Sequence, residues 1–174
     1  FEISGTTLVK YLGHNERVQI PYGVTCIGKG AFSSYDYCKN IINIEIPNSM
    51  TKIEKDAFSG CSIIAIKIPN SVRKIEAFAC HFYRAVIYCE AMSKPLGWSK
   101  NWNRNSFYKG SYYRKAFSSF SPVVWNCNNN EKDEDGYVYT IIDEIIYALK
   151  DGIATVIGSP RNLCGDVTIP SKVT

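Results

Sequence analysis

Ile46-Pro47-Asn48-Ser49-Met50-Thr51-Lys52-Ile53-Glu54-Lys55-Asp56-Ala57-Phe58 is a phrase that this chain uses more than once. An earlier version runs from Ile20-Pro21-Tyr22-Gly23-Val24 through Ile27 to Ala31-Phe32. A shortened one runs from Ile68-Pro69-Asn70-Ser71-Val72 through Ile75 to Ala77-Phe78, and a last opening, Ile169-Pro170-Ser171-Lys172-Val173, stands at the end. The steps from Ile20 to Ile46 and from Ile46 to Ile68 are 26 and 22 residues, the length of one solenoid coil. Coils of that kind bury their apolar sides against each other, so any function belongs to exposed faces and loops.

Each coil can be read from its residues. Before the Pro stand pairs spaced i, i+2: Val18 and Ile20, Ile44 and Ile46, Ile66 and Ile68. Such pairs point to one side of a strand, and β-branched Ile suits a buried one. Pro, lacking an N–H, ends the ladder, and Asn-Ser or Tyr-Gly after it favours a turn. Val24, Met50 and Val72 precede Ile27, Ile53 and Ile75 by three, a spacing that predicts a tight or short helical return arm. Ala-Phe then supplies a small and a large side chain for packing between coils. In this alignment the third coil loses two residues before Ala77, as if the array were ending.

The phrase Ile-Pro-x-x-Val-x-x-Ile-x-x-x-Ala-Phe-x-x-Cys, as it stands at 46–61, resembles the BspA-type leucine-rich-repeat family, as does the lead-in Gly5-Thr6-Thr7-Leu8-Val9-Lys10-Tyr11-Leu12-Gly13. The resemblance covers residues 1–102 well and 125–174 more loosely. It implies an α/β-type, strand-rich solenoid of right-handed coils with an aromatic cap, followed by a small β-meander that starts a second array. It also implies a secreted or cell-surface protein whose partner is a host or neighbouring-cell protein or glycan. Trp98, Trp102 and Trp125 look like the closing segment, where large rings cover the open end of a core.

The expected organisation is an array with its cap over 1–127, a polar linker over 128–136, and a meander leading into a second, truncated array over 137–174. The chain opens on Phe1-Glu2-Ile3 and closes inside a coil, so it is expected to be a piece of a longer protein. Inside the cap region, 103–121 reads as an insertion. From Ala91 to Cys127 there are six Lys or Arg and no Asp or Glu, with rings interleaved. Arg104, Tyr108, Lys109, Tyr112, Tyr113, Arg114 and Lys115 are therefore candidate contacts for an acidic partner. The alternative is a loop packing its rings on the cap with solvated cations. In the linker, Asp133-Glu134-Asp135-Gly136 suggests calcium, but counting from Glu131 puts Ile142 where an EF-hand needs Glu.

A second candidate surface follows from strand alternation: Arg17, Gln19, Asn43, Glu45 and Lys67 lie one step from the buried positions and should form an exposed strand face. Seven cysteines are an odd number; buried thiols are the expected state, with bridges between neighbouring coils as the alternative. The chain has two histidines, His14 and His81, neither beside an activating motif, and Gly28-Lys29-Gly30 lacks the rest of a phosphate loop. Catalysis, a metal and a cofactor are not expected. A formal charge of +4 on 174 residues does not ask for nucleic acid. Two functions stay open: an adhesive or protein- and glycan-binding module, and a structural spacer with no ligand of its own.

Overall fold

The structure, a computed structural model, describes residues 1–33, 38, 40–82, 85–104, 121–128, 132–133, 135–142, 145–151 and 153–158. Apart from Cys38, which is helical, the regular elements among these residues are strands. The Ile-Pro segments give β3 (Arg17–Gln19), β5 (Asn43–Glu45) and β7 (Ala65–Ile68), and two more strands continue them, β9 (Val86–Cys89) and β10 (Val123–Trp125). These five form one sheet in the order β10-β9-β7-β5-β3, all neighbours parallel. Its inward row is Val18, Ile44, Ile66, Ile87 and Val123, each paired with the next.

The return arm departs from expectation. It is not helical but a second sheet, built from β4 (Cys26–Ile27), β6 (Lys52–Ile53) and β8 (Lys74–Ile75). Lead-in strands β1 (Glu2–Ser4) and β2 (Thr7–Lys10) join it as an antiparallel hairpin, giving the order β1-β2-β4-β6-β8. Two residues per arm suffice, because each strand is held from both sides rather than by its own length. Leu8, Ile27, Ile53 and Ile75 stack in register on the inner side of this sheet. A coil is thus two strands and two corners, a flattened β-solenoid with one apolar interior.

The corners stack as regularly as the strands. Tyr11, Phe32, Phe58 and Phe82 form a column of rings with centroids 5.4, 5.5 and 5.8 Å apart. Beside it the Tyr11 amide donates to the Ala31 carbonyl, that of Phe32 to Ala57, that of Phe58 to Ala79 and that of Cys80 to Trp102. These bonds correct the alignment of the third coil. Ala79, not Ala77, occupies the alanine slot, Cys80 stands in the phenylalanine slot, and Phe82 supplies the ring from two residues on. Backbone geometry agrees: Gly30, Asp56 and Phe78 share one slot and one left-handed conformation, with φ of 63°, 56° and 59°. Glycine adopts that conformation freely; the second and third coils hold a side chain in it.

Nor does the array end with its third coil. Glu90 replaces Pro after β9, so the Ile-Pro signature is lost, yet Ile68 pairs with Cys89 and Cys89 with Trp125. On the return side Trp98 bridges Ile75, and the Ser99 amide donates to the Ile75 carbonyl as Glu76 does to Ile53 and Glu54 to Ile27. Gly97 permits this approach, since a Cβ there would lie 2.3 Å from the Arg73 carbonyl oxygen. All three tryptophans therefore occupy repeat slots: Trp98 that of Ile75, Trp102 that of Ala79 and Trp125 that of Cys89. Their centroids are 4.8 to 6.3 Å apart, and Trp98 and Trp102 are buried in the common core. Ile46, expected in full core contact beside Ile68, is only partly buried.

The predicted meander is a separate three-stranded antiparallel sheet of β11 (Val138–Ile142), β12 (Ile145–Lys150) and β13 (Ile153–Gly158). Before it, Asp133 closes a turn: one carboxylate oxygen accepts from the amides of Asp135 and Tyr137 at 3.0 and 2.9 Å, and the other from the Tyr139 hydroxyl. The start of the second array, with Ile169-Pro170, lies outside the described residues.

Candidate functional site

The two sheets are alike inside and different outside. On the outer face of the return sheet, Thr7, Cys26, Lys52 and Lys74 fall in one row. Lys52 pairs with Glu54 and, at 3.6 Å, with Glu76, which also meets Lys74 at 3.6 Å. The same glutamates clasp the preceding coil: Glu54 accepts the Lys29 amide at 3.0 Å and Glu76 the Lys55 amide at 3.2 Å. Hydrogen bonding by Lys52, helped by the Lys29 amide, holds the Glu54 carboxyl below its ordinary range. Two cations and two anions cancel here, and their directional bonds are already taken.

The outer face of the strand sheet changes character along its length. At its start, Arg17, Gln19 and Glu45 are exposed and Asn43 partly so, with Arg17 opposite Asn43 and Gln19 opposite Glu45. None of these four side chains has a hydrogen-bond or ion-pair partner within the described residues. Further along, Lys67 lies on the same face but is engaged. Its Nζ is 2.9 Å from Glu90 and 3.0 Å from the Asn128 side-chain oxygen. Glu90 also accepts the Asn70 amide, and with Lys67 as the main cause its carboxyl is held low. Lys67 belongs to the scaffold, so the structure divides the five residues predicted for this face into four free and one tied.

Beside these residues, from Ile42 onward, the face carries an apolar patch. Val86 and Val124 are fully buried and Ile64 nearly so, with Ile42, Tyr88, Cys127 and Tyr139 packed against them. Tyr139 comes from β11, so the meander sheet covers this end of the outer face. The sequence carried a signal for this: Val86-Ile87-Tyr88-Cys89 is an unbroken apolar run, as expected of a strand buried on both sides.

Of the basic aromatic candidates, Arg104 is exposed, and its amide donates to the Asn101 carbonyl. Tyr108, Lys109, Tyr112, Tyr113, Arg114 and Lys115 lie outside the described residues. Asn103 and Ser121, which precede and follow them in sequence, are bonded to each other: the Ser121 amide donates to the Asn103 carbonyl and the Asn103 side-chain amide to the Ser121 carbonyl.

Six cysteines are described, and all are free thiols. Cys61 lies in the core with its Sγ 3.3 Å from the Phe32 carbonyl oxygen. Its thiol is pushed up by hydrogen bonding with Cys38 and by burial. Burial also pushes up the Cys80 and Cys89 thiols, so these sulfurs act as neutral core groups. Among the described residues no three His, Cys, Asp or Glu side chains gather as metal ligands, and no helix is long and apolar enough to cross a membrane.

Parallel strand rows, stacked ring corners and a period near 22 to 26 residues define a repeat solenoid. Residues 9–95 match the BspA type leucine rich repeat region (6 copies), and the chain belongs to that family. No curated protein and no solved structure matches it.

Proposed function

We propose that the chain is a non-catalytic module of a secreted or cell-surface protein, and that it binds a polypeptide or glycan through the first half of the strand sheet's outer face. One observation carries this reading: Arg17, Gln19, Asn43 and Glu45 stand in register on a sheet with no side-chain partner among the described residues, whereas the opposite sheet bonds its charges to itself. Donors and acceptors about 4.8 Å apart from strand to strand suit a flat, polar ligand. The family supports a surface protein, and the three tryptophans serve as a lid that keeps the last coil from exposing apolar rows. The basic aromatic segment that begins at Arg104 is a second contact region, for an acidic partner.

A binding screen of the chain against immobilised extracellular-matrix proteins and glycans tests this. Two variants accompany it: Arg17→Glu with Glu45→Lys, and charge reversal at Arg104, Lys109, Arg114 and Lys115. Loss of binding in the first variant, at unchanged melting temperature, is the expected result. Loss only in the second moves the site to the basic segment. Capture of no ligand by the unaltered chain leaves the spacer reading, a rigid element that displays other domains.

A further inference from the structure

The described cysteines are not equivalent. Cys26 faces out from the return sheet, in the row of Thr7, Lys52 and Lys74, and Cys127 packs against the outer face of the strand sheet. Cys38, Cys61, Cys80 and Cys89 lie between the sheets in the common core. Of these four, Cys38 and Cys61 are bonded to each other, thiol to thiol. Cys89 feels Cys80 as a charge rather than as a bonded neighbour.

The bonded pair straddles a boundary between coils. Cys61 closes the corner of the second Ile-Pro coil, where its amide donates to the Phe58 carbonyl at 3.3 Å, and its Sγ reaches back to the Phe32 carbonyl of the coil before. Cys38 follows Phe32 on that earlier coil, and its carbonyl accepts the Ile41 amide at 3.1 Å. The two sulfurs thus meet at the corner where the Phe32 and Phe58 rings stack. Both residues are enclosed, Cys38 at 0% exposure and Cys61 at 1%.

We propose that Cys38 and Cys61 are a disulfide-forming pair, and that their oxidation staples the first Ile-Pro coil to the second. Sulfurs already in contact are a short movement from the ~2.05 Å of a disulfide. The oxidant is a low-molecular-weight disulfide such as oxidised glutathione. One thiolate attacks it and is capped by half of it, and the other thiolate then displaces that half. The two cysteines give up two protons and two electrons, one S–S bond forms between them, and the small disulfide is reduced to two thiols. In the folded chain the core shields both sulfurs, and hydrogen bonding and burial keep Cys61 protonated, so the bond forms while the coils assemble. Coils in an array support one another through their shared boundaries, so a covalent tie across one boundary strengthens both neighbours. Its occurrence outside the test tube rests on the oxidising surroundings that the proposed surface location supplies, whereas the pairing itself is tested on the purified chain and stands apart from ligand binding.

The unaltered chain, reduced and unfolded in denaturant, is diluted into a mixture of reduced and oxidised glutathione. It is then alkylated under denaturing conditions, digested without reductant and mapped by mass spectrometry. The expected map holds two peptides joined through Cys38 and Cys61, with five of the seven cysteines alkylated. The joined chain should melt about 5–10 °C above the chain refolded with reductant. Cys38→Ala and Cys61→Ala should each abolish the joined peptide and the rise in melting temperature, whereas Cys26→Ala should keep both. If an alanine variant does not fold, the map of the unaltered chain decides alone. The proposal is overturned if all seven cysteines are alkylated at every glutathione ratio, if Cys38 or Cys61 is joined to another cysteine instead, or if the joined chain melts no higher than the reduced one.

Discussion

The two sheets of this solenoid have matching interiors and opposite exteriors. Inside, one stacks Val18, Ile44, Ile66, Ile87 and Val123 and the other Leu8, Ile27, Ile53 and Ile75, each row a continuous apolar ladder. Outside, the return sheet ties Lys52, Lys74, Glu54 and Glu76 to one another and to the coil below. The strand sheet leaves Arg17, Gln19, Asn43 and Glu45 without a side-chain partner among the described residues. Under the function proposed above, stability and recognition fall on different faces of the same coils. A side chain already held by its neighbours has little left to offer a ligand, and one held by nothing is available to it.

If that division is right, the largest effect of substitution should fall on the shared interior and should not distinguish the sheets. Ile53→Ala and Ile66→Ala should each cost about 2–5 kcal/mol in chemical denaturation, because both leave a gap between coils. A far smaller effect at one of the two would mean that the sheets are not equivalent inside. Outside, the faces should separate. Removing Glu54 and Glu76 together should cost about 1–2 kcal/mol, through lost charge-assisted bonds to the preceding coil. Removing Arg17 and Glu45 together should stay within about 0.5 kcal/mol. Equal losses would erase the contrast.

Acid sharpens it further. Glu54 and Glu90 have folded-state pKa values below those of free carboxyls, so the stability they contribute is present above the unfolded value of about 4.3 and is lost as pH falls through the folded ones. Thermal melts below that point should show a drop that Glu54→Gln with Glu90→Gln reduces. The smallest effect concerns a corner. Asp56 holds the left-handed slot that glycine fills in the first coil, so Asp56→Gly should stabilise by about 0.5 kcal/mol, measured as a raised denaturation midpoint. A loss there would mean that its 3.9 Å contact with Lys55 outweighs backbone strain.

Much of this was legible in the residues because Ile-Pro marks where each coil turns. The strand phase followed from Val18, Ile44 and Ile66, and the free outer residues followed from the phase. The return arm was misjudged because a spacing of three fits a helical turn as well as a corner followed by a two-residue strand; neighbouring coils decide between them, and their contribution is not local. Ala77-Phe78 misled because it copies the Ala-Phe pair two residues early, while the structure aligns Ala79 by its bonds. Cys89-Glu90 hid the fourth strand because the punctuation, not the strand, had changed. The fate of Lys67 could not be read at all: its partner Asn128 is 61 residues away and reaches it only after β10 has returned to the sheet.

The grouping of the three tryptophans has a practical side. They are all the indole the chain possesses, and their rings lie within 6.3 Å of one another, so tryptophan emission, excited apart from that of tyrosine, reports on those coils alone. Circular dichroism averages over every coil. Followed together during heating, the two signals form a ruler along the solenoid axis. Coincident transitions mean that the stack opens as a unit, and emission that changes early or late tells from which end the coils come apart.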